Sequence, residues 1–109
     1  MRYEVVYTAA ARQDLRDIYE YIAYELLEPD IAVNQADRIM KAIRSLEQMP
    51  MRHTLYEEEP WNSQGLRLLP VDNYLILYLP DEAVHVVNIV RIMYGGRDIR
   101  KQLSEIIKE

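Results

Sequence analysis

Three residues near the end of the chain have side chains that could do chemistry: Arg91, Tyr94 and Arg97, spaced three apart around Gly95-Gly96. Two guanidinium groups at this spacing could clamp a scissile phosphate or dock on an acidic partner, with a bidentate geometry that lysine cannot supply. Tyr94 could then transfer a proton, if the arginines stabilised its phenolate. The pattern therefore predicts either a phosphate-directed site or a recognition surface.

A structural interpretation of the same residues stays open. Each arginine could pair with Asp72 or Asp98 at a strand end, and Tyr94 could be a half-buried aromatic side chain that closes the sheet edge. For Tyr94 we favour the structural interpretation, because the chain has nine tyrosines and no phenylalanine, so most tyrosines must fill structural positions. The two histidines, His53 and His85, are expected at the surface or rim rather than as general bases.

The elements that must position these residues are three apolar runs rich in Val, Ile, Leu and Tyr, separated by short breaks that contain Pro and Asp. They predict consecutive strands of an antiparallel meander, at about residues 65–70, 73–80 and 83–93. The middle run is apolar on both faces, which is typical of a central strand with helices covering one side. On strict alternation, Arg91 shares a face of the last strand with Val87 and Ile89.

The first half of the chain predicts a strand and two amphipathic helices. Arg2 to Tyr7 is rich in β-formers, and Thr8 is a good N-cap for the helix that follows. Glu28-Pro29 ends this helix, and Asp30 can cap the second. Each helix has one apolar stripe: Ala11, Leu15, Ile18, Ile22 and Leu26 in the first, and Ala32, Ala36, Ile39, Ile43 and Leu46 in the second.

The predicted fold class is α+β, a single domain over residues 1–109 with the order β-α-α-β-β-β-α. A four-stranded antiparallel sheet packs against the N-terminal helical hairpin. A loop from Met49 to Gln64 precedes the meander, and Ile99 to Lys108 forms a short C-terminal helix with Ile99, Leu103 and Ile106 or Ile107 on its inner face. The helical contribution to the core is expected from Leu15, Ile18, Ile22, Ile39, Ile43 and Leu46.

Composition narrows the classes of function. The chain has no cysteine, no signal-peptide pattern and no transmembrane run, so we expect a cytoplasmic protein without disulfides or thiolate metal sites. The net charge is −5, whereas proteins bound mainly through nucleic-acid phosphates are usually basic. Between Arg91 and Lys101 four basic residues face one acidic residue, so any nucleic-acid contact is confined to this patch and weak overall. No cofactor and no metal site are expected.

The order of these pieces resembles the RelE/ParE superfamily of bacterial type II toxin–antitoxin toxins. The matching residues run through nearly the whole chain: Tyr7-Thr8-Ala9-x-Ala11-x-x-Asp14-Leu15-x-x-Ile18-x-x-Tyr21-Ile22, Ile43-x-x-Leu46-x-x-x-Pro50, Gly65-Leu66-Arg67, Asn73-Tyr74-x-x-x-Tyr78 and Val90-Arg91-Ile92-x-Tyr94-x-x-Arg97-Asp98. The resemblance implies the predicted sheet and hairpin, a growth-arresting activity, and neutralisation by a cognate antitoxin from an adjacent gene.

The superfamily divides into RelE-like ribosome-dependent mRNA endonucleases and ParE-like poisons of DNA gyrase, which do not cut nucleic acid. Arg67 keeps one basic position that the RNA-cleaving members use, but Leu69 and Leu75 are apolar where those enzymes tend to be basic. With the acidic net charge, this difference favours the ParE-like action slightly.

The alternative is metal-independent mRNA cleavage, in which a 2′-hydroxyl attacks the adjacent phosphate. Arg67, Arg91 and Arg97 would stabilise the developing charge, with Tyr94 as the acid or base. A further alternative is an interaction module that keeps the fold without toxicity.

Overall fold

The computed structural model describes residues 2–95 and 99–107. Strand β1 (Glu4–Tyr7) leads into helix α1 (Ala9–Glu20), a π-helical turn (Tyr21–Glu25) and helix α2 (Pro29–Arg44). The remaining elements follow in chain order: 3₁₀ turns at Ser45–Glu47 and Pro50–Arg52, β2 (Thr54–Leu55), α3 (Trp61–Gln64), β3 (Arg67–Val71), β4 (Tyr74–Asp81), β5 (Val86–Tyr94) and α4 (Ile99–Ile107). Within the described residues, no helix is long and apolar enough to cross a membrane.

The sheet has five strands in the order β1-β5-β4-β3-β2 and is mixed. The α+β class, the helical hairpin and the C-terminal helix are confirmed, but the prediction of four antiparallel strands is wrong in two details. Strand β1 pairs in parallel with β5, and the short strand β2 adds a fifth member beside β3. A parallel pair needs a long crossover connection, and the hairpin and meander together provide it.

Strand β4 is the central strand, as its two apolar faces predict, and separate clusters of buried side chains cover the two faces. On the hairpin face, α2 contributes Ile39 and Ile43, and the following turn contributes Leu46. On the opposite face, Trp61 of α3 and Leu103 of α4 pack over the sheet. The segment predicted to be a plain loop therefore carries part of the second core. Ile99 and Leu103 face inward as predicted, whereas the side chains of Ile106 and Ile107 lie outside the described set.

The hairpin follows the predicted stripes with three differences. Leu15 and Ile18 are half-buried rather than fully buried, although both pack against the hairpin-face core. The π-helical turn rotates the residues after it out of the stripe, so Leu26 is exposed. Helix α2 begins at Pro29, which suits a first helical position, so Asp30 lies in the first turn rather than at the cap.

Candidate functional site

Arg91 lies on β5 and is held by Asp14 of α1. The Nε and one terminal nitrogen of Arg91 donate to the two carboxylate oxygens of Asp14 at 2.7 and 2.9 Å. The backbone N–H of Ile92 donates to the same carboxylate at 2.9 Å. The side chains of Arg91 and Asp14 are only 18 and 13 % exposed. Asp14 therefore accepts three hydrogen bonds in a largely dry position, where charge-assisted bidentate contacts are strong.

The local sheet geometry explains why Asp14 reaches the backbone of β5. Strand β1 ends at Tyr7, opposite Ile89, so the last part of β5 has no strand neighbour on that side. The backbone N–H of Thr8 donates to the Ile89 carbonyl at 3.1 Å, and the Thr8 hydroxyl donates to the Val90 carbonyl at 2.9 Å. Thr8 and Asp14 thus satisfy backbone groups that a longer first strand would have paired.

A bulge in β5 changes which way Arg91 faces. Tyr78 pairs with Ile89 and Leu77 pairs with Arg91, so Val90 is the extra residue. Val90 packs with the core on the far side of the sheet from the hairpin. The expectation that Arg91 shares a face with Ile89 by strict alternation is therefore wrong, because the bulge shifts the alternation by one residue.

Arg67 begins β3 and is bound elsewhere. One of its terminal nitrogens donates to the backbone carbonyl of His53 at 2.7 Å. Arg67 also lines an open groove of about 460 Å³ together with Asn88, Asp81 and Glu82. Two carboxylates in the same groove offset the charge of this arginine, so the groove is not a simple anion site.

Behind Arg67 lies a buried contact between the sheet and the 3₁₀ turn at Pro50–Arg52. The hydroxyl of Tyr78 donates to the Pro50 carbonyl at 2.7 Å, and the ring of His53 meets the Tyr78 ring edge-on at 6.3 Å between centroids. Burial raises the pKa of Tyr78 to about 12. Burial, reinforced by the charges of Arg52 and Arg67, lowers the pKa of His53, so His53 is neutral at pH 7.

This contact makes stability sensitive to alkaline pH. Because the folded pKa of Tyr78 is above the unfolded value of about 10, the stabilising contribution is complete below pH 10 and declines as pH rises toward about 12. We expect Tyr78→Phe to lower the free energy of unfolding at pH 7 by about 1–3 kcal/mol, since the Pro50 carbonyl loses its donor. The variant should also lose stability less steeply above pH 10. Urea unfolding at pH 7, 9, 10 and 11 measures both effects, and Tyr24→Phe, at an exposed position, should match the wild type.

Tyr94 ends β5 at the other end of the sheet from the β4–β5 turn. It is 52 % exposed, and its ring meets that of Tyr74 at 5.8 Å between centroids. The N–H of Gly95 donates to the Asn73 carbonyl at 2.8 Å, and a Cβ at Gly95 would approach that oxygen to 3.3 Å. This close approach favours glycine after Tyr94. Arg97, the fourth predicted residue, lies outside the described residues.

The comparison with known proteins decides the family. Residues 5–99 match the model of the ParE toxin of the type II toxin–antitoxin system parDE. The chain belongs to the ParE toxin family. No curated protein sequence matches this ParE-family chain significantly.

Solved structures share the fold of this ParE-family chain. The chromosomal ParDE toxin–antitoxin system from P. aeruginosa matches with a TM-score of 0.70 and 21 % identity, over 85 % of this chain and 96 % of that one. The RelBE2 toxin–antitoxin complex from Mycobacterium tuberculosis matches with a TM-score of 0.61 and 25 % identity, over 86 and 99 %. A mutant of the E. coli toxin RelE in the free state matches with a TM-score of 0.69 and 13 % identity, over 99 and 97 %. ParE and RelE toxins alike have this architecture.

Within this ParE-family fold, the described candidates do not form one cluster. Arg67 and Arg91 lie on β3 and β5 with β4 between them, so their backbones are roughly 10 Å apart. Each binds a different partner: Arg67 contacts a loop carbonyl and Arg91 a helix carboxylate. The ring of Tyr94 contacts that of Tyr74.

Sequence reasoning missed Asp14 as the partner of Arg91, having named Asp72 and Asp98 instead. Asp72 binds Arg38 and Gln35 of α2, and Asp98 lies outside the described residues. The sequence does indicate that Asp14 needs a partner, although not which one. Asp14 lies beside Leu15 on the apolar stripe of α1, where an unpaired carboxylate would be costly.

Proposed function

We propose that this chain is a growth-arresting toxin that acts on DNA gyrase in the cytoplasm without cleaving RNA, and that its cognate antitoxin comes from an adjacent gene. Membership in the ParE family supports DNA gyrase as the target, because the ParE-like branch of the superfamily that this chain resembles consists of gyrase poisons. The names of the P. aeruginosa ParDE system and the M. tuberculosis RelBE2 complex pair a toxin with an antitoxin, which supports a partner of that kind here.

The observation that carries the non-catalytic proposal is the pair formed by Arg91 and Asp14. A group that stabilises a scissile phosphate must point its donors at the developing charge before the reaction begins. Here two donors of Arg91 are aimed at a carboxylate instead, in a position from which water is largely excluded. Releasing Arg91 for a phosphate would leave Asp14 buried without its counter-ion, which is costly.

The charge distribution supports the same proposal. Arg67 shares its groove with Asp81 and Glu82, which would repel a phosphate backbone. The whole chain carries a net charge of −5, so long-range attraction to RNA is weak.

Inducing the chain alone in a bacterium tests the proposed target. We expect growth to stop, DNA synthesis to fail before translation, and plasmid supercoiling to be lost while messages stay intact. Pulse labelling of DNA and protein, gel analysis of plasmid topology and primer extension on abundant messages measure these quantities. New cuts within messages in the first minutes, with DNA synthesis unaffected, would establish the RelE-like alternative. A folded protein that binds the antitoxin without causing arrest would establish the non-toxic module.

The hydroxyl of Tyr94 provides a second test that distinguishes gyrase poisoning from mRNA cleavage. Tyr94→Phe keeps the ring that packs on Tyr74 and removes the only group that Tyr94 could use for proton transfer. We expect unchanged arrest, whereas an RNA-cleaving toxin that relied on Tyr94 would slow by about 10²–10⁴-fold. Tyr19→Phe, at a half-buried tyrosine on the hairpin, is the matched control.

A further inference from the structure

The ring of His53 contains a buried polar atom that the fold leaves without a hydrogen bond. His53 joins the 3₁₀ turn at Pro50–Arg52 to strand β2, and the residue as a whole is partly exposed. Its Nε2 atom is nevertheless buried, and no described residue gives this atom a hydrogen-bond partner. Buried polar atoms are nearly always paired, so an exception indicates stored strain or a functional role.

Protonation of His53 would conflict with its surroundings in two ways. An imidazolium donates from both ring nitrogens, so Nε2 would carry a buried N–H without an acceptor. Burial lowers the pKa of His53, and the nearby charges of Arg52 and Arg67 lower it further. Tyr78, on the sheet side of the ring, offers no negative charge, because its pKa is raised to about 12 and its hydroxyl donates to the Pro50 carbonyl. The packed position therefore favours the neutral ring.

The segment that carries His53 is strained at its start. Met49 has a left-handed backbone, with φ of 48°, a conformation that costs free energy for a residue with a Cβ. The side chain of Met49 is 74 % exposed, so it recovers little of this cost by packing. Strand β2, which follows His53, has only two residues and lies at the edge of the sheet. A small added cost can therefore release this segment while the central strands stay paired.

Movement of His53 would also free Arg67. The His53 carbonyl accepts a hydrogen bond from a terminal nitrogen of Arg67 at 2.7 Å, and the His53 ring meets the Tyr78 ring edge-on. Both contacts join the loop to strands of the sheet. Arg67 also lines the open groove with Asp81 and Glu82, so a freed guanidinium could turn toward these carboxylates. The protonation state of one loop histidine is thereby coupled to the arrangement of charges in the groove.

We propose that His53 is an acid-sensitive latch, whose neutral ring holds the loop on the sheet and whose protonated ring leaves Tyr78 and releases Arg67 into the groove. In the open state the ring titrates near its usual value of about 6.5, whereas in the packed state its pKa is lower. The stability of the latch is therefore complete above pH 6.5 and is lost as pH falls through the lowered pKa. This property belongs to the free fold and does not depend on the proposed target.

Amide hydrogen exchange of the purified chain between pH 7.5 and 5.0 tests the latch, with each rate corrected for the intrinsic pH dependence of exchange. We expect protection in residues 51–56 to fall by up to about tenfold per pH unit, the limit for uptake of one proton on opening. Protection in β5 should stay unchanged. NMR titration of the His53 ring protons should give a midpoint below that of a histidine in a short peptide.

Two substitutions isolate the contribution of the proton. His53→Phe keeps an aromatic ring against Tyr78 and cannot be protonated, so protection in residues 51–56 should be the same at pH 7.5 and 5.0. His85→Asn is the matched control, because the His85 ring also packs on a tyrosine, Tyr3, at 5.1 Å between centroids. Asparagine tolerates the left-handed φ of 54° at this position. The control should loosen in residues 51–56 on acidification as the wild type does.

A third variant tests the role of the neighbouring charge. Arg67→Gln removes one cation beside the ring and keeps an amide that can donate to the His53 carbonyl, so the titration midpoint of His53 should rise. Equal protection of the wild type at pH 7.5 and 5.0 would overturn the proposal, as would a loss in His53→Phe as large as that of the wild type. A simultaneous loss of protection in β5 would also overturn it, since acid would then unfold the whole protein. A wild-type midpoint at or above that of a peptide histidine would show that the packed position does not oppose the charge.

Discussion

Replacing Arg91 with alanine should lower the free energy of unfolding by about 3–5 kcal/mol, because it leaves the Asp14 carboxylate desolvated without its bidentate partner. Asp14→Ala should cost a comparable amount, since it also removes the acceptor for the Ile92 N–H. Urea unfolding followed by circular dichroism measures both losses as a shift of the midpoint at constant slope.

Two further variants make this result specific. Arg2→Ala breaks an exposed pair with Glu47 and should change stability by less than about 1 kcal/mol. Replacing Arg91 and Asp14 together with leucine should recover only the part of the loss that comes from the unpaired charge, because apolar side chains can substitute for a buried ion pair but leave the Ile92 N–H without its acceptor. A cost below about 1 kcal/mol for Arg91→Ala would show that the pair is not a structural element. If the expected loss is found, absence of arrest in Arg91 variants reports on folding, so Tyr94→Phe is the better probe of mechanism.

Ile43→Ala should destabilise the protein by about 2–5 kcal/mol through lost transfer free energy and the cavity that remains. Ile43 is 1 % exposed and packs between α2 and the hairpin face of the sheet. Val33→Ala on the same helix, at a half-exposed position, is the control and should stay within about 0.5 kcal/mol. Thermal and urea unfolding give the two differences. A change below about 1 kcal/mol at Ile43 would mean that the apolar stripe of α2 does not form the core.

Part of the candidate site could be predicted from the sequence. The residue types and the strands that carry Arg67, Arg91 and Tyr94 follow from local patterns in the sequence. The partner of Arg91 could not be predicted from the sequence, because Asp14 lies 77 residues away and reaches β5 only where β1 ends. The bulge at Val90 was equally hidden, since one inserted residue leaves the composition of an apolar strand unchanged.

The sequence by itself determined the α+β class, the two helices of the hairpin, the central position of β4 and the inward faces of Ile39, Ile43 and Leu46. The spacing of apolar residues predicts the type of each element and its buried face, and short breaks in the pattern indicate where each element ends. These features can therefore be predicted from neighbouring residues alone. Only the tertiary structure decided the parallel pairing of β1 with β5, the role of Trp61 in the second core and the capture of Arg91 by Asp14. Each of these depends on two segments far apart in the chain meeting in one orientation, and a strand or a carboxylate has the same local pattern whichever partner it meets.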